Sequence, residues 1–181
     1  ALPHGSAGFV RGHLQALGVD GVVFAAVFFA EPFHAVGKVV AQAPAVGGVL
    51  DQPGDPLLLV GVAGAQEIGA DGIVVSNHGG RQVAFGPPTI DALPAIAEAV
   101  AGRMTIILDS GIRRGADILR AKALGADFAF VGRAFAYGVG AGGDAGALRA
   151  FEILQLELVR ALGQLGIPSY QAVGPTELTT F

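Results

Sequence analysis

The sequence predicts an α/β protein, a parallel sheet whose strands are joined by helical crossovers. Three observations predict it. Short apolar runs such as "GIVV" and "TIIL" are β-rich and do not alternate, the pattern of strands buried on both faces. Helical patterns lie between these runs. A weak repeat marks the passage from helix to strand at "ALGVDGVVFA" (from Ala16), "EIGADGIVVS" (from Glu67) and "ALGADFAFVG" (from Ala123). Each copy has an apolar helix end, a Gly, a small residue, an Asp and then a strand-like run. Gly18, Gly69 and Gly125 fall where a helix ends in a left-handed residue, a conformation that costs glycine little.

The elements follow in order. A first strand is expected within "GVVFAAVFFA" (Gly21 to Ala30) and a helix over Phe33 to Gln42. The stretch 31–54, rich in Ala, Gly and Val, is the least interpretable connection. "PLLLVGV" (Pro56 to Val62) reads as a second strand, although "AGAQEIGAD" then leaves little room for a crossover helix before "GIVVS". "PPTIDALPAIAEAVAG" (Pro87 to Gly102) has apolar positions at helical spacing. "TIILDSG" (Thr105 to Gly111) is a strand, and "RRGADILRAKALG" (Arg113 to Gly125) is a helix. A last strand leads into "VGRAF", and "GALRAFEILQLELVRALGQLG" (Gly146 to Gly166) is a long amphipathic helix. That makes about five strands. A complete (β/α)8 barrel needs eight, usually over about 250 residues. The pattern therefore fits an open doubly wound sheet or the second part of a barrel, in one domain over residues 1–181.

Composition narrows the function classes. The chain has 181 residues, 52% hydrophobic and 14% charged, which argues for a packed core rather than disorder. A net charge of -4 gives no electrostatic case for nucleic acid. No cysteine is present, so disulfides and thiolate chemistry are excluded. The longest apolar run is shorter than the ~20 residues of a membrane span. The start, "ALPHGSAG", shows no basic flank before an apolar core, so a cytoplasmic chain is expected.

In a parallel sheet, ligands bind at the carboxyl edge. Three expected strand ends carry polar loops. "SNHGGRQ" (Ser76 to Gln82) offers His78, a possible base near neutral pH, and Arg81, which could clamp a carboxylate between two N–H donors. Taken alone, such a loop reads more readily as a polar turn. "LDSGIRRG" (Leu108 to Gly115) brings Asp109, a Gly turn and two arginines to a helix start. With Arg113, the backbone N–H groups there could hold a phosphate. "VGRAF" (Val131 to Phe135) repeats the design with Gly132 and Arg133. Two neighbouring Gly-Arg strand ends favour phosphate binding over solvated helix starts.

"GADGIVVSNHGGRQ", "LDSGIRRGADILRAKALGAD" and "VGRAF" together resemble the FMN-dependent 2-hydroxy acid oxidase and dehydrogenase family, which includes glycolate oxidase, lactate oxidase and mandelate dehydrogenase. The match is gap-free from about Gly69 to Tyr137, looser through the final helix and weak before Pro56. The resemblance implies a (β/α)8 barrel, here its C-terminal part, with FMN at the carboxyl face. It implies oxidation of an (S)-2-hydroxy acid to a 2-oxo acid by a homo-oligomer, with no metal. His78 would take the substrate proton and Arg81 would hold the substrate carboxylate. Ser76 would lie near the flavin ring. Asp109, Gly111, Arg113, Gly132 and Arg133 would hold the ribityl chain and phosphate.

The sequence also departs from the family pattern. Val60 stands where the family strand carries a Lys beside the flavin, and Ala25 and Val27 stand where it carries Thr-x-Asp. A flavin- or phosphate-binding part of a barrel without the substrate half of the site is the alternative reading. A phosphosugar isomerase is a third, disfavoured because its chemistry does not call for a carboxylate clamp beside the base.

Overall fold

The structure is a computed structural model and describes residues 39–41, 56–81 and 86–177. Among the described residues, four strands pair in parallel in the order β1-β2-β3-β4: β1 (Val39–Ala41), β2 (Gly72–Val75), β3 (Thr105–Leu108) and β4 (Phe128–Ala129). Helix α1 (Pro56–Glu67) connects β1 to β2, α2 (Thr89–Val100) connects β2 to β3, and α3 (Gly115–Ala123) connects β3 to β4. Helix α4 (Arg133–Leu165) follows β4. The register pairs Ile73 with Ile106 and Ile107 with Phe128. All adjacent pairs are parallel, so every strand delivers its carboxyl end to one edge.

Two expected elements are corrected. "PLLLVGV" is not a strand; it is the first part of α1. A continuous apolar run cannot be assigned by periodicity alone. Here the crossover settles it, because parallel strands β1 and β2 need a helix between them. The strand beside β2 is Val39–Ala41, within the stretch expected to be helical. Val39 and Val40 are β-branched, and they pair with Gly72 and Ile73. Val60 therefore lies in a helix, not at a strand end. The expected strand at Gly21 to Ala30, with Gly18, Ala25 and Val27, lies outside the described residues.

The strands at "GIVV" and "TIIL" and the helices that follow them stand where expected, but β3 stops at Leu108, short of Gly111, and the last helix, expected from Gly146, already begins at Arg133. Gly69 and Gly125 end α1 and α3 with φ of 67° and 105°. Helix α2 ends one residue earlier than expected, with Ala101 itself left-handed at φ 49°. The core lies between the sheet and its helices. Ile73, Val75, Ile106 and Leu108 meet Leu93, Ile96 and Val100 of α2, Ile118 and Leu119 of α3, and Leu154 and Leu158 of α4. Each such buried side chain contributes roughly 1.5–3 kcal/mol relative to exposure.

Helix α4 is broken at Gly142 and Gly143, the latter at φ 58°. Its two parts cross where Gly138 and Gly146 meet backbone to backbone; a Cβ on Gly138 would lie 2.5 Å from the Gly146 carbonyl oxygen. At the amino edge of the sheet, the repeat's aspartate has a visible task. The Asp127 carboxylate accepts the Ile106 N–H at 2.9 Å, and the Asp127 carbonyl accepts the hydroxyl of buried Tyr170 at 3.2 Å. Burial, followed by the Asp127 charge, pushes that hydroxyl's pKa well above the ordinary range.

Candidate active site

The carboxyl edge of β2 ends at Val75, and the chain then turns through Ser76 and Asn77 into a single 3-10 turn, His78–Gly80. Asn77 caps this turn. Its Oδ1 accepts the Gly80 N–H at 3.2 Å, and its Nδ2 donates to the Pro87 carbonyl at 3.3 Å. His78, Gly79 and Gly80 all have positive φ (54°, 66° and 73°). Two glycines make this path inexpensive, while His78 occupies a region few non-glycine residues enter. The turn is thus held in an uncommon shape beside the edge where a ligand would sit.

What holds it comes from the next strand. The Ser76 hydroxyl donates to Asp109 Oδ2 at 2.5 Å, and the His78 N–H donates to Ser76 Oγ at 3.2 Å. The Ser110 hydroxyl donates to the same carboxylate oxygen at 3.1 Å, while Ser110 Oγ accepts the Gly79 N–H at 3.0 Å. One carboxylate at the end of β3 therefore anchors two serines, and each serine fixes one amide of the His-Gly pair. Thr89, at the start of α2, donates to the Asp109 carbonyl at 2.9 Å. From the end of β4, Arg133 Nη2 donates to the Gly79 carbonyl at 2.7 Å. Three strand ends and one helix start converge on one loop.

These groups surround an open cleft of about 330 Å³, lined among others by Asn77, Gly79, Thr89, Ser110, Gly111 and Arg133. Of the expected site residues, Gly111 and Arg133 line it. Ser76 and Asp109 are half-buried in the hydrogen-bond network. His78, Arg81, Arg113 and Gly132 are exposed, each a chain neighbour of a lining residue. Sequence reasoning missed Asn77, Thr89 and Ser110. Asn77 and Ser110 stand inside the quoted loops, and their polarity at a strand end is the signal that could have found them.

The two helix starts expected to hold phosphate differ. At α3, the Arg113 and Arg114 N–H groups donate to Asp117 Oδ2 at 3.0 and 2.9 Å, and the Gly115 N–H donates to Glu157 Oε2 at 3.0 Å. Arg114 also pairs with Glu157 at 2.7 Å. The Gly115 N–H and then Arg114 hold the Glu157 carboxyl below its usual range. The first amides of α3 are thus already satisfied by carboxylates. At α4, no side chain among the described residues caps the helix, and a Cβ on Gly132 would meet none of their atoms within 4 Å. An uncapped helix start with an arginine in its first turn fits a phosphate. Among the described residues, no cluster of acidic, His or Cys side chains could hold a metal. No helix among them is long and apolar enough to cross a membrane.

The parallel α/β sheet thus brings a histidine turn and a helix start bearing Arg133 to one carboxyl edge. Comparison with known proteins makes the assignment. The chain belongs to the FMN-dependent dehydrogenase family, whose model matches residues 61–180, and FMN is the cofactor of that family. An L-lactate oxidase of Lactobacillus jensenii is 50% identical over 107 residues, covering 56% of this chain and 26% of the relative. An L-lactate dehydrogenase of Chromohalobacter salexigens is 41% identical over 131 residues, covering 69% and 33%. Among solved structures, a mandelate oxidase variant with a monooxide FMN adduct is 41% identical with a TM-score of 0.61, covering 64% of this chain and 37% of that one. The chain spans between about a quarter and a third of the length of the curated relatives it matches.

Proposed function

We propose that this chain is the C-terminal part of a (β/α)8 barrel that oxidises a small (S)-2-hydroxy acid, of the lactate, glycolate or mandelate type, to the 2-oxo acid. The observation that carries the reading is the fixed His78–Gly80 turn beside the open start of α4. The similarity to lactate oxidases and mandelate oxidases supports it. When bound, FMN supplies the two-electron acceptor. The start of α4, with Gly132 and Arg133, would hold its phosphate. Asp109 and Gly111 would face its ribityl chain, Arg113 would add a cation from the exposed side, and Ser76 would lie near the ring.

His78 takes one proton from the substrate at an imidazole nitrogen. Its backbone is fixed through Ser76 and Asp109, so the ring starts from one place rather than from a mobile loop. Arg81 is exposed in the turn that follows Gly80, and it would hold the substrate carboxylate through two parallel N–H donors. Exposed apolar side chains along α4, including Leu148, Leu156 and Leu165, support contact with further protein and a homo-oligomeric assembly.

The test is His78→Gln in the FMN-loaded protein. The reading expects flavin to stay bound while its reduction by hydroxy acid is lost. Full reduction by the variant would remove His78 as the base. Flavin binding without reduction in the unsubstituted protein would favour a non-catalytic flavin-binding domain.

A further inference from the structure

The reading above gives Arg133 to the flavin phosphate and His78 to the substrate, as separate tasks on separate strands. The structure joins them at Gly79. The Gly79 N–H donates to Ser110 Oγ at 3.0 Å, and the Gly79 carbonyl accepts from Arg133 Nη2 at 2.7 Å. Both polar groups of the residue next to His78 are therefore held, one from the end of β3 and one from the start of α4. The approach is close: a Cβ on Gly79 would lie 2.5 Å from Arg133 Nη2. A guanidinium presents five N–H donors in a planar fork. One goes to Gly79, and the same side chain lines the cleft. Ser110 is itself held at φ 82°, a backbone state that a non-glycine residue keeps only when its surroundings fix it.

We propose that Ser110 and Arg133 are positioning residues that clamp Gly79, so that the placement of His78 depends on the phosphate of the bound cofactor. The inference rests on the flavin reading and deepens it. A phosphate at the start of α4 orders the Arg133 fork, the fork orders the Gly79 carbonyl, and the His78 backbone follows. A cofactor without phosphate would bind and leave the turn looser. A lysine at position 133 keeps the charge for the phosphate and loses the planar fork that can serve two acceptors at once.

Amide hydrogen exchange at Gly79, followed by NMR, separates the outcomes. FMN and riboflavin differ only in the phosphate and serve as the two probes, each at saturating concentration on the whole flavin-loaded protein. The expected result is Gly79 exchange about tenfold slower with FMN than with riboflavin, the scale of one charge-assisted hydrogen bond. In Arg133→Lys at saturating FMN that difference disappears. In Ser110→Gly, which relieves the positive φ and so should fold, Gly79 exchanges faster with either flavin. Both variants reduce flavin more slowly at saturating hydroxy acid, with KM little changed because Arg81 is untouched. Equal exchange with FMN and riboflavin in the unsubstituted protein overturns the proposal. So does an Arg133→Lys protein that binds FMN more weakly yet keeps the full difference, since Arg133 would then be a phosphate contact alone. If the unsubstituted protein binds neither flavin, the flavin reading fails and the linkage falls with it.

Discussion

Gly79 and Gly80 offer a matched pair of substitutions that isolates the Arg133 contact. Both glycines have left-handed backbones, φ 66° and 73°. Alanine at either position carries the same strain, about 1–2 kcal/mol. The surroundings differ. Among the described residues, a Cβ on Gly80 meets nothing within 4 Å, whereas one on Gly79 meets Arg133 Nη2 at 2.5 Å, Cζ at 3.3 Å and Nε at 3.5 Å. The guanidinium is the far end of a flexible side chain, so it can move aside at small steric cost. Moving breaks its bond to the Gly79 carbonyl and withdraws it from the cleft. Both variants should therefore lose similar stability, a few degrees in thermal midpoint for a domain of this size. Only Gly79→Ala should also lose FMN affinity, by roughly the 1.5–3 kcal/mol of a charge-assisted hydrogen bond, or about 10- to 150-fold in Kd. Flavin fluorescence titration of the two apoproteins measures it. Equal FMN affinities in Gly79→Ala and Gly80→Ala would refute the reasoning, because strain alone would then account for both.

The same geometry carries further predictions. Glu157→Gln keeps an acceptor for the Gly115 N–H but removes the charge from it and from Arg114, and should cost about 1 kcal/mol at neutral pH. The Glu157 pKa is depressed in the folded state, so its contribution is present above the unfolded carboxyl value and is lost as pH falls through the folded one. Acid unfolding curves should show that component in the unsubstituted protein and lack it in Glu157→Gln. Gly115→Ala drives a Cβ into the Leu158 backbone N and to 2.6 Å from the Glu157 carbonyl carbon. Backbone cannot swing away, so α3 and α4 must separate, and denaturant titration should show a larger loss than for either loop glycine. Leu158 is fully buried between those helices, and Leu158→Ala should cost about 2–5 kcal/mol in the same titration.

Much of the sheet was legible in the sequence because its signals are local. "GIVV" and "TIIL" are short β-branched runs closed by polar residues, and Gly69 and Gly125 mark the helix ends before β2 and β4. "PLLLVGV" is ambiguous because a short run such as Leu57 to Val60 fits a buried strand and a buried helix equally well. Only the pairing of β1 with β2, a long-range fact, decides between them. The site divides the same way. The loops that carry His78, Asp109 and Arg133 announce themselves by Gly, Arg and Asp at strand ends. The α3 start looked like a phosphate site by the same rule, but a carboxylate from Glu157, 42 residues further along, already occupies the Gly115 N–H. The contact between Arg133 and Gly79 spans 54 residues and has no signature in either loop alone.

The proposed oxidation of a 2-hydroxy acid at this edge of the sheet requires that the substrate reduce the bound flavin. Its most direct test is the visible flavin absorbance of the whole FMN-loaded protein, mixed without oxygen with lactate, glycolate or mandelate in turn. At least one of them should bleach the band, and His78→Gln should retain FMN without bleaching. A stably bound flavin that none of the hydroxy acids bleaches would contradict it.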